Sequence, residues 1–90
     1  MSTLTRRIED HARKMGAMME RCGVDAAMLA NDRLGLTLAQ ASRACLACRA
    51  EAACTDWLAA SAGTTVDAAP DFCPNAARFD FLRNESALSR

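Results

Sequence analysis

The stretch Cys45-Leu-Ala-Cys48-Arg-Ala-Glu-Ala-Ala-Cys54, completed further on by Phe72-Cys73-Pro74-Asn75, limits what this chain can become. Four of its five cysteines fall in these two short pieces. In a chain of 90 residues such a cluster is expected to hold something: a metal ion, an iron–sulfur cluster or a pair of disulfides. The rest of the sequence shows why a staple is needed. Hydrophobic residues make up 51% of the chain, but 20 of them are alanines that bury little area each. Aromatic residues are limited to Trp57 and three phenylalanines, and β-branched aliphatics to Ile8, Val24 and Val66. A core this thin, in a chain long enough for one domain only, calls for a cross-link. Alanine richness with few β-branched residues points to an all-α fold.

Net charge is zero, and the arginines are scattered rather than run together. This argues against electrostatically driven binding to nucleic acid or to a membrane surface. The N-terminal Met-Ser-Thr-Leu-Thr-Arg-Arg-Ile-Glu-Asp holds no apolar run, so neither a secretory signal nor a membrane span is visible. A cytoplasmic location is therefore expected, where cysteine clusters lean to metals or redox work. An odd cysteine count also suits a disulfide framework poorly.

Along the chain, Leu4, Ile8, His11, Met15, Met18 and Cys22 recur in steps of four and three, one stripe of a helix over residues 3–22. Glu9–Arg13 and Asp10–Lys14 are spaced as favourable pairs on the other face, and Gly23 suits the position that ends the helix. The stripe is long enough to serve as a homodimer seam, although packing within its own domain is the commoner use. His11 and Cys22 sit on it, and for both a packed core role outweighs a ligand role. Asp25 reads as the N-cap of a short helix, with Val24 and Leu29 as its staple. Asn31 to Leu36 is a turn around Gly35. Thr37 and Gln40 form a capping box that opens a helix over residues 37–62. Residues 61–70 read as a loop. Pro74 suits the first position of a last helix over residues 71–83, anchored inward by Phe79 and Leu82, with 84–90 as a polar tail. The expectation is a bundle of four to five short helices organised around the cysteines.

The cysteine spacing, C-x2-C-x5-C-x18-C-P, carries a geometric demand. On one helix Cys45 and Cys48 face the same way, but at about 100° per residue Cys54 points roughly 120° away from Cys48. A shared centre therefore requires the helix to break between Arg49 and Ala53, against the helix preference of Ala-Glu-Ala-Ala. A metal site contributes on the order of ten kcal/mol, enough to override that preference. Cys73, at a helix start, would receive backbone N–H groups and a favourable dipole, and Arg43 and Arg49 flank the first pair to offset charge. The candidate ligands are thus Cys45, Cys48, Cys54 and Cys73. Spacing alone leaves an iron–sulfur cluster and zinc open, with disulfides or free thiols third.

Cys45-x2-Cys48-Arg49-x4-Cys54-x2-Trp57-Leu58 resembles the ligand core of the WhiB-like proteins, small helical [4Fe-4S] regulators. That likeness covers about a dozen residues and implies Cys22 in the distant first-ligand position. The Gly-Trp-Gly-Gly-type turn and basic tail that serve DNA binding in that family have no counterpart here. Over nearly its full length the chain is more similar to an uncharacterised domain-of-unknown-function family of small proteobacterial proteins. Met18-Met19-Glu20-Arg21-x-Gly23-Val24-Asp25, Leu34-Gly35-Leu36, Cys45-x2-Cys48-Arg49, Cys54-x2-Trp57-Leu58 and Phe72-Cys73-Pro74-Asn75-Ala76 carry that resemblance. It implies Cys73, rather than Cys22, as the fourth ligand.

These readings converge on a small [4Fe-4S] protein, a redox, oxygen or nitric-oxide responsive regulator or an electron-transfer accessory. The alternative is a zinc-stapled protein–protein interaction module using the same four cysteines, with the Met15/Met18/Met19 patch as its surface. A thiol-disulfide switch is the third class. Nothing in the sequence suggests an enzyme: no Ser/His/Asp grouping, glycine-rich phosphate loop or working carboxylate pair is present.

Overall fold

The computed structural model describes residues 3–88, with side chains through residue 85. The fold is all-α, and no strand occurs among the described residues. Helix α1 spans Thr3–Arg21, α2 Ala26–Asn31, α3 Leu36–Leu46, α4 Glu51–Ala60 and α5 Ala76–Leu88, with a 3-10 turn at Asp32–Gly35 between α2 and α3.

Helix α1 forms where the stripe predicts it, and its end is built by glycine. Gly23 adopts φ 74. The Val24 N–H then reaches the Met19 carbonyl at 2.9 Å and the Gly23 N–H the Glu20 carbonyl at 3.2 Å. This paired closure satisfies carbonyls that the helix end would otherwise leave open. The stripe itself divides. His11, Met18 and Cys22 are buried, whereas Leu4 is 66% exposed and Ile8 46% exposed. On the polar face Asp10 gathers both cations, Lys14 at 3.1 Å and Arg13 at 3.3 Å, so Arg13 turns to Asp10 and away from Glu9.

Asp25 caps α2 as expected, its carboxylate accepting from the Met28 N–H at 3.0 Å. The following turn differs from the sequence reading. Helix α3 begins at Leu36 behind a left-handed Gly35, and Thr37 lies inside the helix, where its hydroxyl donates to Asp32 rather than capping. Ahead of it, Arg33 and Leu34 both hold positive φ, at 53 and 57, and Leu34 is fully exposed. Two consecutive side-chain-bearing residues in the left-handed region cost roughly 1–2 kcal/mol each. Leu34→Gly is therefore expected to stabilise the chain by about 1 kcal/mol, seen as a higher urea midpoint at unchanged slope. A lower midpoint would mean that the leucine packs somewhere.

The core lies where α1, α2, α3 and α5 meet: Met18, Met19, Cys22, Val24, Leu29, Ala41, Phe79 and Leu82, joined by Ala69 from the loop. Phe79 and Leu82 face inward as their positions predict. Residues 61–70 contain no helix after the first turn, and the Val66 N–H bonds the Arg21 carbonyl at 2.8 Å, pinning the loop to the end of α1. Helix α5 starts at Ala76, five residues after the expected start at 71. Asp71, Phe72, Cys73 and Pro74 form a turn before it. Proline is spent on that turn, and the Asn75 carbonyl accepts the first helical bond, from the Phe79 N–H at 2.9 Å. At the other end the helix continues through Leu88 and takes in most of the expected tail. Residues 89–90 of that tail lie outside the described residues.

Candidate metal centre

The helix expected over residues 37–62 is two helices, α3 and α4, separated by residues 47–50. The required break thus exists, but it begins earlier than expected. Helix α3 ends at Leu46, so Cys45 sits in its last turn while Cys48 lies on the link and shares no helical face with it. The Cys48 N–H still bonds back to the Cys45 carbonyl at 3.1 Å, and the Cys48 sulfur accepts from the Ala50 N–H at 3.4 Å. That sulfur therefore acts as a cap at the start of α4, a position from which a helix dipole favours negative charge. Cys54 follows in the opening turn of α4, its own N–H bonded to the Ala50 carbonyl at 2.8 Å.

Cys73 arrives from the turn before α5, and the Asn75 N–H donates to its sulfur. Asn75 is the latch that holds this turn. It is buried at 2% exposure, its amide nitrogen donates to the Ala41 carbonyl on α3 at 2.9 Å, and its amide oxygen accepts from Arg78 at 2.9 Å. The turn with the fourth cysteine is thereby tied to the helix with the first.

The result is convergence. Cys45, Cys48, Cys54 and Cys73 all line one small pocket of about 30 Å³, floored by Phe79 and walled by Met15, Met18 and Phe72. Cys22 is not among the lining residues. It is fully buried in the core beside Arg83, which donates to its carbonyl at 3.1 Å. The sulfurs share a pocket rather than a point: among the described residues no three His, Cys, Asp or Glu side chains form a group that could hold a metal ion.

The pocket is apolar, and its electrostatics follow from that. Burial, with the neighbouring thiols of Cys48, Cys54 and Cys73 adding to it, pushes the Cys45 thiol up to about 11 from 9.0. Burial likewise raises Cys54 and Cys73, against the opposing pull of Lys14 on Cys54 and of the Asn75 N–H on Cys73. Cys22 is raised to about 11 by its burial and by the charge of Asp80. Without a bound cation these groups stay protonated near neutrality. The folded chain then holds more protons than the unfolded one between about pH 9 and pH 11, so unfolding is favoured as pH rises through that window. Metal-free protein is expected to lose several kcal/mol over that range, roughly 2–3 for each of the two most shifted thiols. Urea titrations at pH 7, 9 and 10.5 measure this, and a flat profile would contradict it.

The cation at the thiols is Lys14, which lines the pocket at the same time as it pairs with Asp10. Arg43 and Arg49, the expected charge offsets, are exposed, and neither lines the pocket. Lys14 had a sequence signal. It lies three residues after His11 and four before Met18, at the margin of the buried stripe, and only its charge assigned it to the polar face. His11 is buried and its carbonyl accepts from the Cys45 thiol at 3.5 Å. Its Nδ1 donates to the Arg7 carbonyl at 2.8 Å, and its Nε2 approaches Glu51 of α4 at 2.9 Å without hydrogen-bond alignment. The histidine thus braces α1 against α4 beside the site and is no part of the thiol set.

Four soft sulfur donors, two of them accepting backbone N–H groups, beside one ammonium: this donor chemistry fits a thiophilic metal or an iron–sulfur cluster. No helix is long and apolar enough to cross a membrane among the described residues. No curated protein and no solved structure matches the chain. A family model does match, over residues 1–85, and on that coverage the chain belongs to the family of unknown function DUF6455.

Proposed function

We propose that this chain is a [4Fe-4S] carrier whose ligands are Cys45, Cys48, Cys54 and Cys73, and that it serves as a redox, oxygen or nitric-oxide responsive regulator or as an electron-transfer accessory. The observation that carries the reading is the convergence of four sulfurs, from three separate segments, on one apolar pocket. The C-x2-C-x5-C spacing, similar to the WhiB-like ligand core, points the same way.

Bound there, a [4Fe-4S] cluster would supply one-electron chemistry and sensitivity to oxidants. The chain's own residues do the rest. Phe72, Phe79, Met15 and Met18 give the sulfurs an apolar surround. The Ala50 and Asn75 N–H groups donate to the sulfurs of Cys48 and Cys73, and Lys14 offsets part of their charge. Four protein ligands leave no iron position open to a substrate, so the reading is non-enzymatic. Its partner is another protein rather than a nucleic acid, given a net charge of zero. Protein purified without oxygen is expected to be brown, with about four irons and four sulfides per chain. A colourless product carrying about one zinc and stable in air would replace this reading with the zinc-stapled interaction module.

A further inference from the structure

A second cavity lies against the first. It is an open groove of about 520 Å³, lined by Arg7 at the start of α1, by Ala47, Cys48 and Arg49 of the link, and by Glu51 and Ala52 of α4. Cys48 lines both the thiol pocket and this groove, so its sulfur forms part of the wall between the two. Arg7 and Arg49 are exposed, and neither guanidinium has a partner among the described residues. The groove also holds one carboxylate, Glu51, which lies 2.9 Å from His11 Nε2 without hydrogen-bond alignment. The groove beside Cys48 is thus lined by two unpaired guanidinium groups against one carboxylate, in a chain whose net charge is zero.

Unpaired guanidinium groups at a cleft attract carboxylates, giving orientation and speed of encounter more than raw affinity. We propose that the Arg7/Arg49 groove is the docking edge for a protein partner that presents carboxylates, and that this partner meets the centre at Cys48. The inference rests on the reading above for what lies behind Cys48, while the groove's preference for anions can be measured without it.

The test uses the full chain, metal-free and reduced, and follows alkylation of Cys48 by mass spectrometry. Anionic iodoacetate and neutral iodoacetamide are compared at low ionic strength. In R7E/R49E the iodoacetate-to-iodoacetamide rate ratio at Cys48 is expected to fall about tenfold, with R7Q/R49Q in between and the difference shrinking at about 0.5 M salt. Poly-L-glutamate should protect Cys48 in the wild-type chain and not in R7E/R49E, while duplex DNA should protect neither. An unchanged ratio on charge reversal overturns the proposal, and so does protection by DNA without protection by poly-L-glutamate. Both arms are read in protein without a centre, so a colourless anaerobic preparation would remove the cluster reading and leave this result standing on its own.

Discussion

Replacing Cys73 by serine should cut the iron bound by anaerobically reconstituted protein from about four per chain to near zero, and Cys22→Ser should leave it near four. The contrast follows from placement. Cys73 lines the pocket with Cys45, Cys48 and Cys54, whereas Cys22 is enclosed in the core and outside the lining set. Serine keeps the size of the side chain but removes the soft donor, so a loss at Cys73 reports ligation rather than packing. Cys45→Ser, Cys48→Ser and Cys54→Ser should each behave like Cys73→Ser. If Cys22→Ser removes the iron and Cys73→Ser does not, the WhiB-like ligand set is the correct one. Cys22→Ser must be read with a folding control, because a hydroxyl in a fully buried site costs roughly 1–3 kcal/mol when unpartnered. Circular dichroism of the metal-free variant supplies that control.

The second large effect is expected at Phe79. This ring is fully buried and forms both the floor of the thiol pocket and part of the core. Phe79→Ala removes the main aromatic contact of α5 and leaves a cavity that a small helical chain closes poorly. The expected cost is about 3–5 kcal/mol, a large fraction of the roughly 5–13 kcal/mol open to a chain of this size. Thermal denaturation of the metal-free protein should show a midpoint lowered by roughly 15–30 °C, or no cooperative transition at all. Phe79→Leu should retain much of the loss and still load iron. A midpoint drop of under about 5 °C for Phe79→Ala would mean that α5 is held by something other than its aromatic anchor.

The helical class and the first helix were legible because they rest on local physics. Alanine content, a stripe in steps of four and three, and Gly23 in the closing position act within a turn or two of chain. The four cysteines named from the sequence share a pocket as lining residues, without forming a closed ligand group among the described residues. What the sequence hid were the helix boundaries near the site. Thr37-Leu-Ala-Gln40 has the form of a capping box, yet Gly35 in the left-handed region starts α3 earlier and frees the threonine to bond Asp32. Cys48 has the spacing for a shared helical face with Cys45, yet the chain leaves the helix first and uses the sulfur to accept the Ala50 N–H. Pro74 fits a first helical position, yet the Asn75 bond to α3 places the helix start after it. In the first two cases a competing feature within a few residues outweighs a local signal of about 1 kcal/mol, and at Pro74 a bond to another helix does so. Lys14 makes the expected pair with Asp10, and its second role at the pocket was not legible. Its charge says surface, and only the packing of α1 against the thiol segments brings its end to the pocket.

The Asn75 latch has a consequence for how such a protein would be supplied. Residue 73 is held near residues 45–54 by hydrogen bonds of the polypeptide, Asn75 to Ala41 and Arg78 to Asn75, neither of which involves a sulfur. Two thiol-bearing stretches far apart in the chain are thereby kept neighbours by contacts that a change at the sulfurs leaves in place. If the proposed cluster is bound there, its loss would not by itself undo this tie, and the two stretches would remain side by side for reloading.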